Sequence, residues 1–115
     1  MALTSDIKTL MASISNVFIG SMPATPDNVV CIYNTGGFSR SLSGSEVEEP
    51  TFQVRVRNTS YATGETLCNT IKDLLHGATS TKLLMIEQQG DILDLGRDES
   101  NRSEWSINFR CYYRR

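Results

Sequence analysis

The chain has 115 residues, of which 39% are hydrophobic and 21% charged, a composition that excludes a disordered chain and leaves room for one domain rather than two. Eleven basic residues against thirteen acidic ones give a net charge of −2, which excludes a chain-wide polyanion binder and leaves a local basic patch possible. No apolar run approaches the roughly 20 residues of a membrane-spanning helix. The N-terminal MALTSDIKTL also lacks the basic start and apolar centre of a secretory signal, so we expect a soluble protein made in the cytoplasm.

The first element is helical in pattern. Leu3, Ile7, Leu10, Met11, Ile14, Val17 and Phe18 share one face of a 3.6-residue period, predicting an amphipathic helix through Phe18. Thr4 or Ser5 caps its start, and Asp6 suits the positive end of its dipole. Gly20 closes it, and Pro23 and Pro26 prevent its continuation. Val29–Tyr33 is a β-branched run between turn residues and predicts a buried strand. Asn34 to Pro50 holds Gly36, Gly37, Gly44, four serines and the acidic Glu46, Glu48 and Glu49. It is a long loop or an extended, irregular hairpin arm, and segments of that length often carry function.

Thr51–Arg57 alternates strictly. Phe52, Val54 and Val56 face a core, while Gln53, Arg55 and Arg57 face away from it. Asn58-Thr59-Ser60 then caps a second helix with a core face of Leu67, Cys68, Ile71, Leu74 and Leu75, stopped by His76 and Gly77. Gly64 costs that helix about 1 kcal/mol relative to Ala, which marks either a later start or a close approach of a neighbour. Leu83–Ile86 predicts a third strand and Asp91–Leu95 a weak fourth, with Gln89-Gly90-Asp91 as a turn between them. Gly96–Arg102 is a charged, apolar-free loop. In the last strand Trp105, Ile107, Phe109, Cys111 and Tyr113 face the core; Glu104, Ser106, Asn108, Arg110, Tyr112 and Arg114 face outward.

The resulting order, α-β-β-α-β-β-β, predicts an α+β fold in one domain across residues 1–115: a mostly antiparallel sheet with two helices on one face. The other face would carry Gln53, Arg55, Arg57, Asn108, Arg110 and Tyr112.

Chemical motifs are sparse. Cys31, Cys68 and Cys111 are far apart, and His76 is the sole histidine. A structural zinc site needs four ligands at short paired spacings, so the cysteines read as buried thiols, and no metal is expected. One histidine also argues against nucleophilic triads, so no catalytic residue is expected. Gly36-Gly37 with the following serines lacks the lysine of a phosphate-binding loop, since none lies between Lys8 and Lys72, and no cofactor is expected. The acidic groups Glu46, Glu48 and Glu49, and Asp91, Asp94, Asp98 and Glu99, read as solvated loops or as contact surfaces for basic strand faces of a neighbouring subunit. Arg110, Tyr112, Tyr113, Arg114 and Arg115 mix cations with aromatics, as single-strand nucleic-acid binders do, or form a core strand with a solvated end. Asn58-Thr59-Ser60 and Asn101-Arg102-Ser103 match a glycosylation pattern that has no meaning without secretion.

Four stretches carry a resemblance: Tyr33-Asn34-Thr35-Gly36-Gly37, Glu49–Arg57, Tyr61 opening a helix, and the Trp105–Tyr112 strand. In that order they resemble the minor capsid proteins of long-tailed bacteriophages, the group of tail terminator and head–tail joining proteins. The resemblance implies an α+β subunit in a ring, commonly of six, on top of the tail tube. That ring would cap the tube, stop its polymerisation and join it to the head connector, with DNA only passing through the lumen. It implies no catalytic residues, no membrane, and a place in the virion neck. Its partners would be further copies of itself, the tail tube protein and the connector proteins. On this chain, the subunit or tube contacts would fall on Tyr33, Asn34, Gly36, Gly37, Arg40, Glu46, Glu48 and Glu49 of the arm. Arg55, Arg57 and Arg110 on the strands, and Arg97 and Arg102 at the charged loop, would complete them. A neighbouring neck or head-completion protein, or a small nucleic-acid-binding module using the C-terminal strand, are the alternatives.

Overall fold

A computed structural model describes residues 3–38, 47–79 and 83–114. Helix α1 (Leu3–Leu10) leads into β1 (Val17–Ile19), β2 (Val29–Phe38) and β3 (Val47–Asn58). Helix α2 (Tyr61–Leu75), β4 (Leu83–Arg97) and β5 (Ser103–Arg114) complete the chain order. The strands form one sheet in the order β1-β2-β3-β5-β4, antiparallel except where β1 runs parallel to β2. Both helices supply the same core cluster, so the α+β class and the one-sided helical layer are as expected.

The first helix is shorter than its periodicity predicts. It ends at Leu10, and two turns come next, closed by Met11 N–H to the Lys8 carbonyl and Ile14 N–H to the Met11 carbonyl. Asn16 then adopts φ 58, a left-handed conformation that asparagine tolerates, and the chain reverses. Val17, Phe18 and Ile19 therefore pair with Val30, Cys31 and Ile32 as a strand. Met11 and Val17 are still buried and Ile14 packs against the core, so the apolar spacing was sound while the backbone beneath it changed. The second correction is that Leu83–Ile86 and Asp91–Leu95 belong to one strand. It bends through register shifts between Gln89 and Leu93 and between Asp94 and Gly96 rather than turning.

The core lies between sheet and helices. Phe52, Val54 and Val56 of β3 and Trp105, Ile107, Phe109, Cys111 and Tyr113 of β5 are buried, as their alternation requires. The Phe52 and Phe109 rings stack with centroids 5.1 Å apart. Cys68, Ile71 and Leu75 bury the inner side of α2, whereas Leu74, expected in the core, lies on the exposed side of that helix. Cys31, Cys68 and Cys111 are all free and buried, and burial pushes the Cys68 and Cys111 thiols up to about 12. At the other end of α1, the Tyr113 hydroxyl donates to Asp6 Oδ2 at 2.5 Å, joining the first helix to the last strand.

Helix α2 starts as its sequence dictates: Ser60 Oγ accepts the Thr63 N–H at 3.3 Å. Gly64 marks a close approach rather than a late start. A Cβ there would run into the indole of Trp105, which also packs on the Tyr61 ring at 5.2 Å. Gly64→Ala should therefore destabilise by about 1–3 kcal/mol, because overpacking outweighs the helix-propensity gain of about 1 kcal/mol. A thermal melt of the variant checks this; a raised melting temperature would show that the indole yields freely.

Candidate assembly surface

The face of the sheet opposite the helices is an open polar and aromatic surface. Strand alternation places Tyr33, Gln53, Arg55, Asn108, Arg110 and Tyr112 on it together. Arg55 lies over the Tyr33 ring at 5.9 Å and donates through Nε to Gln53 Oε1 at 3.1 Å. Gln53 in turn donates to Asn108 Oδ1 at 3.1 Å. Arg110 lies 6.0 Å from the Tyr112 centroid and donates to Glu87 Oε1 at 2.9 Å. That bond raises the already high guanidinium pKa further, so Arg110 is charged at any working pH. Arg55 has no ion-pair partner among the described residues.

The hairpin of β2 and β3 forms the arm at one end of this face. Asn34 is exposed, and its Oδ1 accepts the Gly36 N–H at 2.9 Å where the register shifts between the two residues. Gly36 sits at φ +99, a conformation that suits glycine and kinks the arm out of regular pairing. Gly37 and Phe38 pair with Pro50 and Glu49, and Glu48 pairs with Tyr113 of β5. The segment is thus a hairpin arm rather than an unstructured loop; Arg40 and Glu46 lie outside the described residues.

The opposite end of the sheet is built differently. Arg57, expected as a subunit contact, is only 4% exposed. Its Nε donates to the Asp27 carbonyl at 3.0 Å, and its Nη2 reaches the carbonyls of Pro23, Pro26 and Ala24 at 2.6, 2.8 and 3.4 Å. The alternation was read correctly, but the connection from β1 to β2 folds over that end of the face and uses the guanidinium internally. Arg102 is also engaged within the chain, donating through Nε to Asp98 Oδ2 at 2.8 Å and through Nη1 to the Ala24 carbonyl at 2.8 Å, with Asp27 Oδ1 at 3.3 Å. Arg97 is exposed and holds Asn101 Oδ1 at 2.9 Å.

Asp98 organises the turn between β4 and β5. Its carboxylate accepts the backbone N–H groups of Ser100 and Arg102 at 3.0 and 2.9 Å. The Arg102 backbone bond leads in holding its pKa below the usual carboxylate range, against a smaller opposing effect of burial. A depressed folded pKa contributes stability above the unfolded value of about 3.9, which is lost as pH falls through the folded value. The Ser100 and Arg102 amide resonances should therefore stay fixed from neutrality down to about pH 4 and shift together below it; a transition centred near pH 6 would contradict the assignment.

Of the described sequence-derived contact residues, those of the arm lie at one end of the sheet, Arg97, Arg102 and Arg57 at the other, and Arg55 and Arg110 on the open face between them. From Glu49 to Arg57 the strand covers about 26 Å. The sequence reading missed the connection that Arg57 and Arg102 gather, although the Asp98 to Arg102 spacing of four was a visible ion-pair signal. On the C-terminal strand Tyr113 is buried against Asp6 and Arg110 is paired with Glu87, while Tyr112 stays on the open face; the Arg114 side chain and Arg115 lie outside the described residues. Among the described residues no group of three or more His, Cys, Asp or Glu side chains could hold a metal ion. Among the described residues no helix is long and apolar enough to cross a membrane.

The family described as bacteriophage tail terminator protein has a model that matches residues 3–115. No curated protein matches the chain. Among solved structures, a chain of the virion of a native gene transfer agent (GTA) particle aligns with a TM-score of 0.77 at 14% identity, over 99% of this chain and 96% of that one. At that identity the likeness is one of fold.

Proposed function

From the premise that the chain belongs to the bacteriophage tail terminator family, we propose that it forms a ring, of six copies in the commonest arrangement, at the top of the tail tube. The family is one of structural virion proteins; the finer role is our own reading. In it the subunit, one domain across residues 1–115, caps the growing tube, stops its polymerisation and joins the finished tail to the head connector. DNA passes through the lumen without being read, and no cofactor takes part.

The observation that carries this reading is the family match over nearly the whole chain. The geometry adds a physical reason for a joining role. The arm bearing Tyr33, Asn34, Gly36, Gly37, Glu48 and Glu49 and the turn bearing Arg97 and Arg102 lie at opposite ends of one rigid sheet. Two ends of different chemistry suit two different partners, tube below and connector above. Arg55, between those ends, is left to meet an acidic group of the neighbouring subunit, whereas Arg110 beside it is paired with Glu87 within the chain. Arg57 serves instead to hold the end that carries Arg97 and Arg102.

Deleting the coding sequence from the source phage and imaging lysates by electron microscopy tests the role. Overlong tail tubes, or tails separated from filled heads, are expected. Normal-length tails joined to filled heads would remove it.

A further inference from the structure

On the helical side of the sheet, above the start of β2, lies a groove of about 420 Å³ that the proposed function leaves unused. Ligand sites commonly measure about 300–1,000 Å³. One wall is the flank of α2, and the other is the turn that follows α1. None of the described residues that line it is charged or aromatic. Ile14, Val30 and Leu67 supply an apolar floor, and Asn16, Asn28 and Asn58 supply side-chain amides.

Each amide is held at one end by the chain itself. Asn16 Nδ2 donates to the Asn28 carbonyl at 3.1 Å. Asn28 Oδ1 accepts the Thr59 N–H at 2.9 Å and the Thr59 hydroxyl at 3.3 Å. Asn58 Oδ1 accepts the Ser60 N–H at 2.9 Å. Among the described residues nothing takes up the other ends, Asn16 Oδ1, Asn28 Nδ2 and Asn58 Nδ2. Asn58 matters most, because it is only 4% exposed and a buried amide normally has its donors satisfied. Its Nδ2 is not sealed in the core: among the described side chains Arg110 Nε is the one fully buried polar atom without a partner. The Asn58 donor therefore opens on the groove that its residue lines.

We propose that this groove binds an uncharged, extended peptide segment of another protein of the particle. Two fixed donors and one fixed acceptor match the carbonyls and N–H groups of a peptide backbone. An aliphatic side chain of the segment would seat on Ile14, Val30 and Leu67. The amides are already oriented by their bonds within the chain, so binding costs little side-chain ordering. The lack of cations disfavours phosphates, and the lack of rings leaves bases no stacking platform. A charged segment would lose hydration that the groove cannot replace. The longest described uncharged stretches of this chain, residues 9–26 and 28–38, are built into its own fold, so the segment comes from a different chain. The groove lies across the sheet from Arg55 and Arg110, and the inference does not depend on the ring reading.

The test arrays short peptides tiled across the other structural proteins of the source phage and probes them with the full chain. Peptides that are retained are then titrated into the isotope-labelled protein. They should be uncharged around an aliphatic residue, and should move the side-chain amide resonances of Asn28 and Asn58 saturably. Asn58→Asp keeps an oxygen for the Ser60 N–H and removes the free donor, so it should weaken binding about tenfold, the effect of one unmade hydrogen bond. Thr70→Arg, on the α2 wall, gains helix propensity and fills the space; it should abolish binding with an unchanged melt, and it decides the matter if the aspartate variant melts early. Retention of charged peptides only, resonance changes confined to Gln53 and Asn108 on the open face, or no retained peptide would each overturn the site. So would natural affinity in both variants, or saturable binding of maltotriose in place of peptides. The same shifts on concentrating the protein alone would mark a second copy as the occupant and overturn the proposal too. Normal joined tails in the deletion phage would remove the capping role and leave this site standing.

Discussion

Arg57→Ala should lower the melting temperature by about 12–18 °C, the largest stability effect of any charged residue on the open face. The guanidinium is nearly inaccessible and its hydrogen bonds reach carbonyls of Pro23, Ala24, Pro26 and Asp27. Hydrogen bonds from a charged donor contribute about 1.5–3 kcal/mol each, but bonds sharing one nitrogen do not add, and a total near 3 kcal/mol is expected. For a domain of this length each kcal/mol moves the midpoint by about 4–6 °C. Arg57→Lys keeps the charge and loses the planar fork, so it should recover only part of the loss. A calorimetric shift below about 4 °C for the alanine variant would mean that the Pro23–Asp27 connection is held by other bonds.

The second large effect concerns assembly. Arg55→Glu should abolish productive joining of heads and tails while the isolated subunit melts near the natural temperature. Arg55 sits on the open face, part-buried against Tyr33 and Gln53, with no carboxylate of the described chain within ion-pair reach. If it meets an acidic group of the next subunit, reversing its charge replaces attraction by repulsion. Losing one partner of a buried interfacial pair costs about 2–5 kcal/mol per contact, and a ring repeats the loss at every interface. Complementation of a deletion phage with this variant, scored by joined particles, reads the effect, with a melt of the purified protein as control. Joined particles at normal yield would take Arg55 out of the interface.

Strand-period alternation was the most legible part of the fold. Phe52, Val54 and Val56, and Trp105 through Tyr113, fall on the buried face the pattern assigns them. The N-terminal segment was less legible because burial and backbone decoupled there. Met11, Ile14 and Val17 keep a helical spacing and pack inward, yet Asn16 turns the chain and β2 pairs with Val17–Ile19. No local signal reports a strand of three residues whose partner starts only at Val29. Asp91–Leu95 read as separate from Leu83–Ile86 because Gly90, at φ 74, resembles a turn and instead marks a bulge. For the assembly surface, the sequence located the arm and the arginines of the open face. It could not tell a free arginine from a satisfied one, since Arg55 and Arg57 share a strand and a side. Which of them stays available depends on a connection 30 residues upstream folding across the sheet.

The position of β5 carries a consequence for synthesis. It is the last strand in the chain, yet it lies between β3 and β4 and its Tyr113 holds Asp6 of the first helix. A nascent chain emerging from the ribosome can form the β2–β3 hairpin and helix α2 early, but β3 and β4 have nothing to join them until Ser103–Arg114 is free. Contacts spanning most of the chain fold slowly, and an unpaired β3 edge is exposed to self-association meanwhile. The full sheet therefore closes in one step, when β5 is released, and a chain interrupted before Ser103 keeps β1, β2 and β3 without the strand that joins them to β4.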